Sequence, residues 1–333
     1  MTRKLLGGVW VLWLALPWVC GGCLFARTIA STHMERGDQA LADARMDAAL
    51  EELRRAVELD PYFPDAHGRL GLLYKERGEL DQAAESLQAA VQLDPQRTEW
   101  VMELGEVYRL LNKLTQAIRT YTLATELDPR SFDARFRLAT CLHQAGELDQ
   151  AIEAYQAAIG LRGDSAAAWS NLGAVYDRQA RFYEAVNAYK ESLECNDSQP
   201  IVLVNLATVY LNQERWLTAQ RTLLTAIQLD PNLSAAHERL GYCYWRQENY
   251  SGAAEAYLRA IALDQKNAAA HAGYGVVRMT QYLADPQQTG FRDEAIEAWH
   301  RSLELNPDQP KLRPLVEKYR VRSPRPPLVI EEG

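Results

Sequence analysis

The chain has 333 residues, of which 47% are hydrophobic and 24% are charged, a composition that excludes an intrinsically disordered protein. Acidic residues outnumber basic ones by 44 to 36, which argues against a general nucleic-acid binder, because such a protein needs a basic face for the phosphates. Five scattered cysteines are too few for a disulfide-stapled scaffold.

The first element in chain order is an apolar segment. Arg3 and Lys4 precede an uncharged run over residues 5–26, the pattern of a secretory signal sequence. A run of about 20 residues is also long enough to cross the hydrocarbon core as a helix. Residues 1–26 are therefore predicted to be a signal peptide or a membrane anchor. Because the basic start keeps the N-terminus inside, the rest of the chain is expected outside the cytoplasm.

A second motif lies near the end of this run. The sequence Val19-Cys20-Gly21-Gly22-Cys23 resembles a bacterial lipoprotein processing site, in which small residues precede a cysteine that becomes lipidated. Cys20 departs from that pattern, which has leucine or a similar aliphatic residue three places before the modified cysteine. The resemblance implies lipidation at Cys23 and attachment to the bacterial cell envelope. An uncleaved transmembrane helix and a secreted form are the alternatives.

The remainder of the chain repeats with a period of 34 residues. Leu-Asp-Pro occurs at residues 59–61, 93–95, 127–129 and 229–231. When position 1 of the repeat is set at Ala30, position 8 is glycine or alanine in every repeat, and apolar residues recur at helical spacing in two segments. Position 20 is always alanine: Ala49, Ala83, Ala117, Ala151, Ala185, Ala219, Ala253 and Ala295. Each repeat is therefore predicted as two closely packed amphipathic helices.

This pattern is similar to that of the tetratricopeptide repeat (TPR) family and covers residues 30–309. The resemblance implies an all-α fold, an α-solenoid of about eight helix-turn-helix units in a right-handed superhelix. The eighth unit has an eight-residue insertion, which is expected to extend its turn over residues 283–290. Residues 310–320 are predicted as a capping helix, and residues 321–333 as a disordered proline-rich tail.

No catalytic or metal-binding motif is present in the sequence. It has no G-x-S-x-G, P-loop or G-x-G-x-x-G pattern. His237 starts a segment like a zinc-protease helix, but Gly241 stands where the second histidine is required. Histidines at position 4 are predicted to be packing residues, and the cysteines Cys141, Cys195 and Cys243 are predicted to be buried thiols. We therefore predict a protein that is not an enzyme and that needs no cofactor or metal.

The TPR resemblance implies that a partner binds in the concave groove lined by the first helix of each repeat. Asn171 and Asn205 occupy position 6 of consecutive repeats and resemble the asparagine ladder with which long TPR proteins hold an extended peptide. A carboxamide suits this role because it offers both a donor and an acceptor to a peptide backbone. Two polar residues on a hydrated face are the alternative interpretation. Repeats 6 to 8 also present large apolar residues on this face, which favours a protein-binding patch. The predicted groove residues are Asn171, Asn205, Val204, Thr208, Leu211, Tyr242, Trp245, Arg246, Val276 and Met279.

The predicted function is a non-catalytic scaffold, attached to a membrane on the extracytoplasmic side, that holds an extended segment of another envelope protein. No repeat has the position-5 lysine that the family's chaperone-binding clamp requires, so a co-chaperone role is disfavoured. Two alternatives concern the apolar residues. The capping helix or the tail covers them, or they form a homodimer in a self-associating structural protein.

Overall fold

The computed structural model describes the backbone of residues 16–319 and the side chains from Phe25 onward. Within this range the secondary structure consists of 17 α-helices and contains no strand. The all-α prediction is therefore confirmed. The chain divides into two compact units, Met1–Gly163 and Asp164–Gly333, called here the N-terminal unit and the C-terminal unit.

In the N-terminal unit, consecutive helices pack against each other in pairs, with α1 on α2, α3 on α4, α5 on α6 and α7 on α8. The first helix of each pair is called the first helix below, and its partner the second helix. The helices of this unit are α1 (Leu16–Ala42), α2 (Met46–Leu59), α3 (Pro64–Glu76), α4 (Leu80–Leu93), α5 (Thr98–Leu110), α6 (Leu114–Leu127), α7 (Phe132–Ala145) and α8 (Leu148–Leu161).

The C-terminal unit continues the same pairing, from α9 on α10 to α15 on α16, and α17 packs after the last pair. Its helices are α9 (Ala166–Arg178), α10 (Phe182–Cys195), α11 (Pro200–Asn212), α12 (Trp216–Leu229), α13 (Ser234–Arg246), α14 (Tyr250–Leu263), α15 (Ala268–Ala284), α16 (Thr289–Leu305) and α17 (Arg313–Tyr319).

Small residues allow the two helices of a pair to approach each other. A Cβ added at Gly71 would lie 2.6 Å from Leu87 Cγ and 3.1 Å from the Leu87 backbone nitrogen, and one added at Gly105 would lie 2.7 Å from the ring of Tyr121. The position-20 alanines are all fully buried. Large residues at position 24, such as Leu87 and Tyr121, then fill the space beside the small ones, so each layer of the core is only one helix pair thick.

A left-handed residue closes the turn within the first seven pairs. Gly78 and Gly146 have φ of +77° and +85°, as their position in the repeat indicates. Five other residues take the same conformation without being glycine: Ala44, Asn112, Ala180, Glu214 and Glu248. The turn geometry is therefore the same in these seven pairs, although only two of them have a glycine that predicts it.

The insertion in the eighth pair lengthens the helices and adds only one residue to the turn, so the expected long turn is wrong. Helices α15 and α16 have 17 residues each, against 13 and 14 in α13 and α14. The inserted sequence is compatible with a helix until Asp285-Pro286 stops it. Arg278 supports the extra turns, since its guanidinium lies 5.0 Å from the ring centroids of both Tyr274 and Phe291.

The two ends of the chain are described in part. Helix α17 is shorter than the predicted cap. Its residue Val316 and the preceding Leu312 are buried in a cluster with Met279 and Trp299. The predicted tail, residues 321–333, lies outside the described residues, as do residues 1–15 of the predicted anchor.

Helix α1 runs through the Gly21-Gly22-Cys23 motif without a break, but the side chain of Cys23 is outside the described part. Among residues 16–319, no helix is long and apolar enough to span a bilayer.

Candidate partner-binding groove

Polar contacts join neighbouring first helices at two repeat positions. The residue at position 6 reaches the residue at position 9 of the preceding repeat, 31 residues earlier. In the N-terminal unit, Arg69 lies 3.8 Å from Asp38 and Arg137 lies 3.1 Å from Glu106. In the C-terminal unit, Arg239 Nε donates to Thr208 Oγ1 at 2.7 Å. The hydroxyl of Thr208, a predicted groove residue, therefore already accepts a hydrogen bond from Arg239 of the next repeat.

Asn205 lacks this contact for a simple reason. The residue 31 places before it is Ala174, which has no polar side-chain atom to bind. Asn171 and Asn205 are half-buried at equivalent positions of α9 and α11. The carboxamide of Asn205 thus keeps its donor and acceptor for another molecule.

An aromatic cluster forms between α12 and α13, the two helices that follow α11. The rings of Tyr242 and Trp245, on α13, stack with centroids 5.9 Å apart, and Trp216 meets Tyr242 edge-on at the same distance. The guanidinium of Arg246 lies 4.4 Å from the Trp216 ring. Tyr242, Trp245 and Trp216 are half-buried and Arg246 is exposed. The structure therefore brings three predicted groove residues together and adds Trp216, which sequence analysis missed.

Trp216 was missed because it begins a second helix, α12, whereas the resemblance implies a groove lined by first helices. The size of the side chain at position 17 could have indicated Trp216. Position 17 of the repeat holds Met46, Leu80, Leu114, Leu148, Phe182, Trp216 and Tyr250 in the first seven repeats, and Trp216 is the largest of them. A side chain of that size reaches from the start of α12 to the neighbouring first helix.

Two predicted groove residues are not accessible, which corrects the prediction for them. Val204 is 6% exposed and Met279 is 4% exposed. Met279 packs against Val316 of α17 and against Leu312 just before it. The predicted capping segment therefore covers Met279, which is one of the alternatives given for the apolar residues.

Leu211 and Val276 remain half-buried. Val276 lines an apolar cavity of about 440 Å³ together with Leu312 and Leu315. The open part of the predicted patch therefore consists of the side chains around α11 and α13 and this cavity at α15.

One acidic side chain on this face was not among the predicted groove residues. Burial raises the pKa of Glu238, while the adjacent Arg239, 3.2 Å away, acts in the opposite direction. Glu238 lies one helical turn before Tyr242 on α13. Glu238 therefore already has a positively charged neighbour, as several acids of the N-terminal unit do.

The corresponding face of the N-terminal unit is polar, and several of its charges are already paired. Lys75 contacts Glu103. Glu106 accepts from Arg109 at 2.6 and 2.9 Å and from Arg137 and the Tyr121 hydroxyl, each at 3.1 Å. These pairs connect α3 to α5 and α5 to α7, so the charges on this face contribute to the stacking of repeats.

We expect Glu106 to make stability depend on pH. The hydrogen bond from Arg109 and then the charges of Arg109 and Arg137 hold the pKa of Glu106 below its ordinary 4.5. A lowered folded-state pKa stabilises the protein above pH 4.5, and that contribution is lost as the pH falls through the folded value. Urea unfolding of Glu106→Gln should show a deficit of about 1 kcal/mol at pH 7, allowing for solvent screening, and a smaller deficit at pH 3. Equal deficits would contradict this account.

Three cysteines, Cys141, Cys195 and Cys243, have side chains that the structure describes. Cys141 and Cys243 are buried, and burial raises the pKa of their thiols to about 11 and about 12. Cys195 is exposed, so its predicted burial is wrong. It ends α10 at a position where other repeats have partly exposed leucines, Leu93, Leu161 and Leu229. Within residues 16–319, no group of three or more histidine, cysteine or acidic side chains could hold a metal ion.

The repeat histidines have a structural role. His67, His237 and His271 each place Nε2 at 2.9 to 3.2 Å from the backbone carbonyl six residues earlier. His33 contacts Glu52 at 2.7 Å instead. His67, His237 and His271 therefore each stabilise the loop that leads into their own repeat.

Comparison with known proteins identifies the repeat. The sequence profile of the cilia and flagella-associated protein 70 C-terminal domain, a TPR domain, matches residues 25–276, which is more than half of the chain. The chain belongs to this TPR family. No curated protein matches it.

Two solved TPR structures share the fold. A chain of the Cut9–Hcn1 hetero-tetramer of the APC/C is 22% identical, with 86% of this chain and 54% of that chain covered and a TM-score of 0.58. A TPR protein from Cytophaga hutchinsonii is 17% identical, with coverages of 72% and 98% and a TM-score of 0.61. YrrB, a TPR protein with an unusual peptide-binding site, is 23% identical, with coverages of 60% and 97% and a TM-score of 0.46.

The TPR chain spans about half the length of the first of these structures. TPR proteins are in general non-catalytic scaffolds for protein–protein interaction, and the fold of this TPR chain supports that role.

Proposed function

We propose that this TPR chain is a membrane-attached scaffold on the extracytoplasmic side of a bacterial envelope, and that it holds an extended segment of another envelope protein. The binding groove is the face of the C-terminal unit that carries Asn171, Asn205, Leu211 and the aromatic cluster of Trp216, Tyr242 and Trp245. The observation that carries the proposal is this cluster, because three large aromatic side chains stay half-buried on a face otherwise built for helix packing.

The two kinds of groove residue would have different tasks. Asn205 can donate to and accept from a peptide backbone, which holds an extended chain without demanding a sequence. Tyr242 and Trp245 supply rigid apolar area at low entropic cost, the usual source of affinity in a protein interface. Leu211, on the adjacent first helix, extends the apolar surface toward the amides. The partner segment is therefore expected to be extended and to carry apolar side chains at the aromatic end.

The paired charges of the N-terminal unit support placing the groove in the C-terminal unit. Glu106 and Glu103 already have arginine or lysine partners, and a ligand would have to break these contacts. The aromatic cluster requires no such exchange. Desolvating it on binding is favourable, since the buried area is apolar.

Attachment to a membrane rests on the sequence of residues 1–26 and on the processing motif at Cys23. Helix α1 continues from Leu16 to Ala42, so the first repeat follows this segment directly. We expect the intact mass of the membrane-extracted protein to show an N-terminal Cys23 with added acyl chains. An unprocessed Met1 would show a signal anchor, and a soluble, unmodified product would contradict attachment.

Binding should depend strongly on the aromatic cluster. We expect Trp245→Ala to weaken capture of the partner from solubilised envelopes by roughly 30-fold, which corresponds to a loss of about 2 kcal/mol at a hot spot. The double change Asn171→Ala with Asn205→Ala should weaken capture less. Tyr183→Ala is the matched control, because Tyr183 is 75% exposed on a second helix. If capture is unchanged in both groove variants while their thermal unfolding matches the parent, the groove is not the binding site.

A further inference from the structure

The described chain ends beside the groove. Tyr319, at the end of α17, packs with the cluster of Met279, Leu312 and Val316. The sequence then continues as Arg-Val-Arg-Ser-Pro-Arg-Pro-Pro, residues 320–327. The proline-rich segment, residues 323–327, therefore begins four residues after a side chain that is packed on the groove face.

The length of this segment matches the distance to the aromatic cluster. Met279 and Trp245 occupy the same repeat position, 12, on consecutive first helices, and packed helices lie about 8–10 Å apart. Trp245 is thus about one helix spacing beyond Met279, and Trp216 meets Tyr242 on the same helix as Trp245. A polyproline II chain rises about 3.1 Å per residue, so a segment of that conformation starting at Tyr319 would reach about 12 Å by residue 323 and about 25 Å by residue 327.

The chemistry of the two surfaces is also complementary. Aromatic-lined grooves bind proline-rich segments, because a preformed polyproline II helix loses little entropy when its rings lie against flat indole and phenol faces. The rings of Tyr242 and Trp245 are nearly parallel, with an interplanar angle of 28°, and the ring of Trp216 lies at 80° to that of Tyr242. The cluster therefore presents two ring surfaces that are roughly perpendicular to each other.

We propose that residues 323–327 dock on Trp216, Tyr242 and Trp245 of the same chain, so that the protein's own proline-rich segment occupies its groove. Where the groove also binds a partner, as the proposed function holds, the partner must displace this segment. A segment tethered this close competes at an effective concentration on the order of millimolar.

Fluorine NMR of the full chain in detergent, with 5-fluorotryptophan in place of tryptophan, tests the docking. Trp216→Phe and Trp245→Phe assign the two signals. We expect the triple change Pro324→Ala, Pro326→Ala and Pro327→Ala to shift both signals by more than a linewidth and to leave those of the buried Trp100 and Trp299 in place. Pro286→Ala, in the exposed turn between α15 and α16, is the matched proline control and should shift neither.

A synthetic peptide of residues 320–333, added to the triple variant, should restore both signals, and its triple-alanine version should not. Unchanged Trp216 and Trp245 signals in the triple variant overturn the proposal. Loss of the bound signals from the unsubstituted chain on tenfold dilution also overturns it, because the occupant would then be a second copy.

The two proposals fail separately. If capture of the envelope partner depends on Trp245 but the proline changes move no signal, the groove function stands and the self-docking is wrong. If the signals move but Trp245→Ala leaves capture of the partner unchanged, the self-docking stands and the partner binds elsewhere.

Discussion

Replacing Trp299 with alanine is expected to lower the free energy of unfolding by about 3–5 kcal/mol. The side chain is 1% exposed, and its indole nitrogen donates to the carbonyl of Ala272 at 3.2 Å. The indole also fills the space that Gly275 leaves open, since a Cβ there would lie 2.4 Å from the ring. Helices α15 and α16 cannot collapse into the resulting cavity without moving as whole elements, so most of the cavity cost persists.

The loss should concentrate at the C-terminal end, because each repeat of a solenoid contacts only its neighbours. Helix α17 packs on Trp299 and Met279, so its amides should lose hydrogen-exchange protection first. Trp216→Ala is the control, because the same substitution at a half-buried residue should cost about 1 kcal/mol. Urea unfolding measures both changes. Equal losses for the two variants would show that Trp299 is not a core residue.

Valine at Gly71 should destabilise the N-terminal unit by about 2–3 kcal/mol, because overpacking forces backbone shifts. A Cβ at this position meets Leu87 Cγ at 2.6 Å and backbone atoms of Leu87 and Ala83 at 3.1 and 3.2 Å. Leu87 is fully buried and the backbone atoms belong to α4. Side-chain rotation therefore cannot relieve the clash, and α3 and α4 must separate.

Gly160→Ala, in the same unit, is expected to raise stability instead of lowering it. Gly160 is exposed within α8, and a Cβ there has nothing within 4 Å. Alanine should stabilise the helix by about 0.5–1 kcal/mol, because glycine loses more backbone entropy on folding. Thermal unfolding of both variants checks the pair. A neutral Gly71→Val variant would mean that the two helices are not held at the described separation.

The sequence predicted the helices and their packing well because the repeat states the same physical requirement many times. Alanine at position 20 and glycine or alanine at position 8 indicate a close helix contact, and the structure buries these alanines completely. One occurrence of such a pair would be weak, but recurrence at 34 residues makes the pattern decisive.

Individual side chains at the groove were harder to predict, because their environment comes from other elements. Met279 is covered by α17, and Trp216 comes from the start of a second helix. Cys195 stands in the place of a leucine, but that place is the exposed end of a helix. Repeat position therefore predicts which helix a residue belongs to, whereas accessibility depends on what lies next to that helix.

The contact between positions 6 and 9 has a consequence for how such a protein can change. Where arginine at position 6 meets an acidic or hydroxyl group at position 9, as in Arg137 with Glu106 and Arg239 with Thr208, the two positions hold neighbouring repeats together. Where position 9 is alanine, as at Ala174, Asn205 keeps its amide for another molecule. The residues at these two positions thus determine whether a repeat binds its neighbour or leaves a polar side chain available for a ligand. Substitutions that add a contact between repeats at these positions therefore remove a place where a ligand could bind.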